Sequence, residues 1–312
     1  MNVAFLFPGQ GSQSVGMGRD LFDNFPIAKQ VFEEASDALS INMARLCFEG
    51  PESELTRTEN TQPAVLTTSV AALRVFEAES GIRPKVAAGH SLGEYSALVA
   101  AGAIELKDAV RLVRDRGRFM QEAAPEGEGT MAAVIGMEAE AVEEIAASVS
   151  AETKRVVVPA NYNSPDQIVI SGHTDAVKAA VACAREKGAK RAIFLNVSAP
   201  FHSPLMKPAA ERLAKKLAEA TFREVTIPVV ANVDANSYRS PEKARELLER
   251  QVYSPVLWTQ SMAKLKEFEI ELAFEIGPGK VLTGLLMKID REIQCFPVGD
   301  VGDVKKAVSM RV

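Results

Sequence analysis

Cysteine and histidine are both scarce in this chain of 312 residues, at three each, and tryptophan occurs once. The cysteines, Cys47, Cys183 and Cys295, form no C-x-x-C pair and no metal-ligand spacing. So sparse and odd a set argues against a disulfide framework and fits a reducing compartment. There is no H-E-x-x-H, no Cys/His cluster and no acidic loop of EF-hand type, so no metal centre is expected. Apolar runs stop well short of the ~20 residues that a membrane span requires. The opening MNVAFL reads directly as a strand, with neither a basic n-region nor a cleavage site. The expectation is a cytoplasmic protein without a signal peptide. Positive charge is not in excess either: 36 Lys and Arg face 41 Asp and Glu, a net charge of −5. That balance argues against nucleic acid as the main partner.

The chain does have an ordinary globular balance, 47% apolar and 25% charged, and a length that suits one large domain or two of usual size. Strand-like and helix-like segments alternate, the pattern of an α/β protein. VAFLF (3–7) reads as a first strand. PKVAAGH (84–90) reads as another and runs straight into the helical SLGEYSALVAAGA. LKDAVRLVRDRGRFMQEA (106–123) is a long amphipathic helix, and APEGEG (124–129) breaks the pattern with Pro and Gly. Next come the strand TMAAVIGM, the helix EAEAVEEIAASVS, the strands RVVVPANYN and QIVISG joined by NSPD, the helix DAVKAAVACAREKG and the strand KRAIFLNV. The order β-α-β-β-α-β is the ferredoxin-like signature. It predicts a small α+β domain, 125–196, inserted into a larger one made of 1–124 and 197–312. The larger domain resumes with the helix LMKPAAERLAKKLAEA, the strand IPVVANV and the helices PEKARELLERQV and VLWTQSMAKLKEF. The strand ELAFEIG, the helix KVLTGLLMKI and a last strand, IQCFPVG, complete it.

GHSLG (89–93) fits G-x-S-x-G with Ser91 at its centre. A serine on a sharp strand-to-helix turn takes strained dihedrals. Small neighbours let strand and helix pass close together, so the hydroxyl is exposed at the start of a helix. The other reading of Ser91 is a helix N-cap in a tight βα turn. A serine nucleophile needs a base. His90 adjoins Ser91, and successive side chains at a strand end point to opposite sides, so His90 reads as a hydrogen-bonded structural residue. His173, in SGHTDA, stands at a helix start in the small domain and reads as a surface or capping residue. His202, in SAPFHSP, lies between two prolines where the chain returns to the large domain. Elimination makes it the candidate base; an ordinary loop histidine is the alternative.

Helical geometry singles out Arg116. At ~100° per residue, Ala109, Leu112, Val113, Arg116 and Met120 share one face, while Arg111, Arg114, Asp115, Arg118 and Glu122 share the opposite one. A guanidinium keeps its charge, and burying it unpaired is costly. Arg116 therefore needs either an internal salt bridge or an anionic group of a ligand. The loop FPGQGSQ (7–13) invites comparison with nucleotide-binding loops. Given Gly9 and Gly11, G-x-G-x-x-G requires glycine at position 14, where the chain has Ser14, and no G-x-x-x-x-G-K-[ST] occurs. Beside a serine elbow, a loop after another strand usually donates one N–H to an oxyanion. Glycines on both sides of Gln10 suit its backbone to that task.

FPGQGSQ, GHSLGEYSAL, RGRFMQEA, NYNSPDQIVISG, PFHSPLMKPA, QVYSPVLWTQS and EIGPGKVLTGL follow one another in this order. From about residue 2 to residue 300 the chain thereby resembles the malonyl-CoA:acyl carrier protein transacylases of bacterial fatty acid synthesis. Acyltransferase domains of polyketide synthases share the pattern. The resemblance implies a large α/β-hydrolase-like domain with a parallel sheet and a ferredoxin-like insert. It implies Ser91 as the acylated nucleophile, His202 as general base and then acid, and the backbone N–H groups of Gln10 and Leu92 as the oxyanion hole. Arg116 would hold the free malonyl carboxylate. The backbone carbonyl of Gln251 would orient His202 in place of a triad acid. Phe201 would narrow the acyl pocket against a 2-methyl group, and Met120, Asn161 and Gln62 match positions that line the cleft.

The implied reaction is ping-pong transfer of malonyl from malonyl-CoA to the phosphopantetheine thiol of acyl carrier protein, with no cofactor and no metal, by a monomer. Acyl carrier proteins are acidic, so a local positive patch is expected at the cleft rim. Lys187, Lys190 and Arg191 in EKGAKRA match the family there; a solvated basic helix end is the alternative. A serine hydrolase would share Ser91 and His202 but has no need of Arg116. A NAD-binding enzyme or a non-catalytic binding module would explain only the first loop.

Overall fold

The computed structural model describes residues 2–125, 127–197 and 199–310. The chain begins with β1 (Val3–Phe7), α1 (Arg19–Asn24), α2 (Pro26–Leu39), α3 (Met43–Glu49), α4 (Glu52–Leu55) and α5 (Thr58–Ser80). Next come β2 (Val86–Gly89), α6 (Gly93–Ala100), α7 (Leu106–Glu122), β3 (Gly129–Ile135), α8 (Ala139–Thr153), β4 (Val157–Ser164), β5 (Gln167–His173), α9 (Thr174–Glu186) and β6 (Arg191–Phe194). The remainder is α10 (Lys207–Glu219), β7 (Val229–Val230), β8 (Ser237–Tyr238), α11 (Pro241–Gln251), α12 (Trp258–Ala263), β9 (Leu272–Ile276), α13 (Val281–Ile289), β10 (Gln294–Val298) and α14 (Val301–Ser309).

The strands form two sheets. The larger has the order β10-β9-β1-β2-β7-β8. Every pair in it is parallel except β7 with β8. Parallel strands are covered by helices on both faces and read as continuous apolar runs. VAFLF behaves so: Val3, Phe5 and Phe7 join one core with Phe76 and Phe274, while Ala4 and Leu6 join another with Trp258 and Leu265. The β1–β2 register pairs Phe7 with Gly89, so the two strands end level. The loop carrying Gln10 and the turn carrying Ser91 therefore leave the sheet side by side. Open parallel sheets bind ligands beyond the carboxyl ends of their strands.

The smaller sheet is antiparallel with the order β4-β5-β3-β6. The first and third strands of its β-α-β-β-α-β run are central, as the ferredoxin-like pattern requires. Residues alternate across it with period two. Ala132, Val134, Ile168 and Ile170 pack with α8 and α9, whereas Met131, Ala133 and Val169 belong to the main core.

Several elements differ from expectation. IPVVANV keeps only two residues as strand, and Ser237–Tyr238 pairs back onto it. The helix in VLWTQSMAKLKEF starts at Trp258 and turns to 3-10 geometry at Lys264. Helices α1 to α5 and α14 had no counterpart in the sequence reading. Glu126 in the boundary segment APEGEG and Ser198 in SAPFHSP lie outside the described residues.

Candidate active site

Ser91 leaves β2 with φ at +52°, a left-handed conformation that side-chain-bearing residues rarely take. The glycines around it are sterically required. A Cβ on Gly89 would collide with the backbone of Gly93, and one on Gly93 would collide with the carbonyl oxygen of Phe7. Strand and following helix thus pass closer than any larger residue allows, and Ser91 is left half-exposed at the head of α6. Its side chain does not cap that helix.

The Ser91 hydroxyl lies 2.8 Å from His202 Nε2. His202 also has left-handed backbone, with φ at +56°, and is buried. Its Nδ1 is 2.8 Å from the carbonyl oxygen of Gln251, at the end of α11. A carbonyl only accepts, so Nδ1 carries the proton and Nε2 is free to accept from Ser91. Burial, and next the charge of Arg116, pull the His202 imidazolium value down to about 3. The ring is therefore neutral at neutral pH.

Arg116 lies on the buried stripe of α7, at 1% exposure. Its Nη1 donates to Gln62 Oε1 (2.8 Å), and its Nη2 donates to Ser91 Oγ (3.0 Å) and to Gln251 Oε1 (2.9 Å). All three acceptors are neutral. Among the described residues no carboxylate bonds to it, so the internal salt bridge is not found, and its Nε has no partner. Arg116 is thus a buried cation that touches the Ser91 hydroxyl and has no directly bonded anion among the described residues.

The backbone N–H groups of Gln10 and Leu92 make no hydrogen bond among the described residues. They stand at the ends of the neighbouring strands β1 and β2. A cavity of about 490 Å³ lies between the two sheets, lined by Gln10, His90, Asn163, Val169 and Leu285 among others. A second, of about 560 Å³, also reaches Gln10 and is bordered by Arg57 and Arg118.

Of the residues singled out from the sequence, Ser91, His202, Arg116, Gln251 and Gln62 form one hydrogen-bonded group. Met120 touches its edge, with its sulfur 3.9 Å from Gln62 Nε2. Phe201 is buried next to His202. Asn161 is buried at a bulge of β4 and bridges to Val256 through the backbone. No side-chain bond joins Phe201 or Asn161 to the group among the described residues. His90 is held by Asn163 (2.8 Å) and lies against Trp258, as a structural histidine should. His173 precedes α9 but does not cap it; its Nδ1 accepts from the Val156 N–H instead (2.9 Å). Lys187, Lys190 and Arg191 are exposed, and none joins an ion pair among the described residues.

Sequence reasoning missed two residues. Asn232, just beyond β7, accepts the Ser91 N–H (2.6 Å) and donates to the Gly89 carbonyl (2.8 Å), bracing the elbow from below. Glu94, on the first turn of α6, is fully buried and accepts from Asn232 N–H (3.1 Å), Gln251 Nε2 (2.7 Å) and the Tyr238 hydroxyl (3.0 Å). An acid inside the apolar run LGEYSAL was the one signal that could have revealed this layer.

The chain is similar to known proteins over nearly its whole length. The acyl transferase domain model matches residues 4–307. The malonyl CoA-acyl carrier protein transacylase of Bacillus subtilis is 50% identical over 306 residues, 98% of this chain and 96% of that protein. The solved transacylase of the same name from Coxiella burnetii superposes with a TM-score of 0.97 at 43% identity, covering 100% of this chain and 98% of that one. A malonyl-transacylase solved in complex with its type II polyketide synthase acyl-carrier protein has a TM-score of 0.97 at 45% identity, over 99% of this chain and 100% of that one.

Proposed function

The chain belongs to the acyl transferase domain family, and on that premise we propose that it moves malonyl from malonyl-CoA to the phosphopantetheine thiol of acyl carrier protein. The product supplies the extender unit of fatty acid synthesis. The observation that carries the reading is the Arg116 guanidinium, buried, bonded only to neutral groups and 3.0 Å from the Ser91 hydroxyl.

In the proposed mechanism Ser91 Oγ attacks the thioester carbonyl while His202 Nε2 takes its proton. The Gln10 and Leu92 N–H groups receive the oxyanion. Collapse expels the coenzyme A thiolate, which takes the proton from His202. The carrier thiol then attacks the malonyl-Ser91 ester by the same steps in reverse, and Ser91 regains its proton. Arg116 holds the distal carboxylate throughout. The Gln251 carbonyl fixes the His202 tautomer, a task that an acid performs in other serine triads. Phe201 and Met120 bound the acyl pocket, with Gln62 and Asn161 at its wall. None of these steps calls for a metal or a cofactor.

We read residues 1–124 and 197–312 as the catalytic domain and 125–196 as an inserted one. The separate antiparallel sheet and its own core with α8 and α9 support the division. The exposed Lys187, Lys190 and Arg191 are the proposed docking patch for the acidic carrier, and the enzyme acts as a monomer. No helix of the described residues is long and apolar enough to cross a membrane.

Mass spectrometry after mixing with malonyl-CoA tests the reaction. A malonyl adduct on Ser91 that passes to a carrier thiol is the expected result. Steady release of malonate without an adduct would mean hydrolysis, and no reaction would refute both.

A further inference from the structure

Beneath the reacting residues lies a buried acid that the mechanism above does not use. Glu94 and Arg116 do not touch; the Gln251 carboxamide stands between them. Its Oε1 accepts from Arg116 Nη2 (2.9 Å), and its Nε2 donates to Glu94 Oε2 (2.7 Å) and to the Ser91 carbonyl oxygen (3.0 Å). This amide cannot be flipped. The reversed form would set its oxygen against two acceptors and its NH2 against a guanidinium donor. Anion, amide and cation thus form a bridged ion pair in a site with almost no solvent. Among the described residues, the titratable and charged groups that face Glu94 are Tyr238 from β8, Arg116 from α7 and Tyr95 from its own helix.

We propose that Glu94 is a positioning residue and the resting counter-charge of Arg116, and that it takes up one proton from solvent when the malonyl carboxylate seats on Arg116. In the empty site Arg116 and Glu94 balance. A second carboxylate on Arg116 leaves one buried negative charge too many, and protonation of Glu94 removes it. The proton leaves when the malonyl group does.

The surroundings of the two oxygens indicate where the proton goes. Oε2 accepts from two N–H groups, which cannot reverse. Oε1 has one partner, the Tyr238 hydroxyl, which can turn from donor to acceptor. A proton on Oε1 therefore keeps every bond. Burial already pushes the Glu94 carboxyl up to about 7, so the exchange falls within an accessible pH range.

The inference rests on the reading of Arg116 as the carboxylate holder, and the test separates the two. The readout is the ratio of kcat/KM for malonyl-CoA to that for acetyl-CoA between pH 6 and 8.5, in which titration of the shared coenzyme A moiety cancels. In the wild type the ratio falls by about 3–10-fold as pH rises, because malonyl must then draw a proton from a more dilute pool. Glu94→Gln mimics the protonated acid, and its ratio is flat with pH. In Tyr238→Phe the carboxylate loses a charge-assisted bond, so the fall moves to higher pH. A flat wild-type ratio, a Glu94→Gln ratio with the wild-type slope, or an unmoved midpoint in Tyr238→Phe each overturns the proposal. If Glu94→Gln does not fold, the wild type and Tyr238→Phe decide it. If Arg116→Ala retains the wild-type preference for malonyl, it is the reading of Arg116 that fails.

Discussion

Replacing Arg116 by alanine should invert the acyl preference of the enzyme. The side chain is 1% exposed, so a carboxylate bonded to it is not screened by solvent. Removing one partner of a buried, hydrogen-bonded ion pair costs about 3–5 kcal/mol. At 1.36 kcal/mol per tenfold, that is about 150- to 5000-fold in kcat/KM for malonyl-CoA. Acetyl-CoA has no distal carboxylate and escapes this loss. It also gains from a side effect, since the Arg116 charge contributes to holding His202 down to about 3, and its removal makes the base stronger. Arg116→Lys, which keeps the charge but not the planar fork, should fall between. Single-turnover acylation of Ser91, followed by mass spectrometry with each thioester, measures the ratio directly. An equal loss on both substrates would refute the reasoning and make Arg116 a structural residue that merely holds Gln62 and Gln251.

Three further outcomes follow from the same geometry. Gly93→Ala should cost about 3 kcal/mol or more and abolish acylation, because its Cβ has no space against Phe7; a Tm within about 2 °C of wild type would contradict this. Gln10→Ala should leave kcat within about threefold, since the backbone N–H is the proposed donor and the side chain makes only a 3.5 Å contact with Thr58; a loss of about 100-fold would shift the role to the side chain. The value of His202 is depressed on folding, so its contribution to stability is complete above pH 6.5 and is lost as pH falls toward 3. Glu94, raised on folding, works in the opposite sense between pH 4.5 and 7 and conceals part of that loss in the wild type. Relative to wild type, His202→Gln should therefore gain about 2–3 kcal/mol in urea unfolding between pH 7 and pH 4.5, and an unchanged difference would exclude the assignment.

The parts of this structure that could be read from the sequence are those governed by local rules. The spacing in GHSLG is steric, and its two glycines are indeed required by contacts with Gly93 and Phe7. The position of Arg116 on an apolar stripe is periodic, and it is buried as the stripe implies. The β-α-β-β-α-β run is a matter of order, and the small sheet follows it. What escaped depends on packing between distant segments. Helix α5 is buried on nearly every side and holds Pro63 in its interior, so it has no polar face to mark its period. Strand β7 is two residues long. Asn232 and Glu94 meet only because β7 lies beside β2 and α11 closes over both; the acid in LGEYSAL marks Glu94 alone, and nothing near Asn232 in the sequence marks it as the partner.

Ser91 and His202 share a backbone state that side-chain-bearing residues adopt at a cost of about 1–3 kcal/mol each, and glycine would relieve it at both positions. On the proposed reading, the nucleophile and the base thus each hold strain that the fold offsets elsewhere. Ser40, Lys154, Ala235 and Glu269 also have positive φ, so the strain alone does not mark chemistry; at Ser91 and His202 it coincides with a 2.8 Å bond between the two side chains.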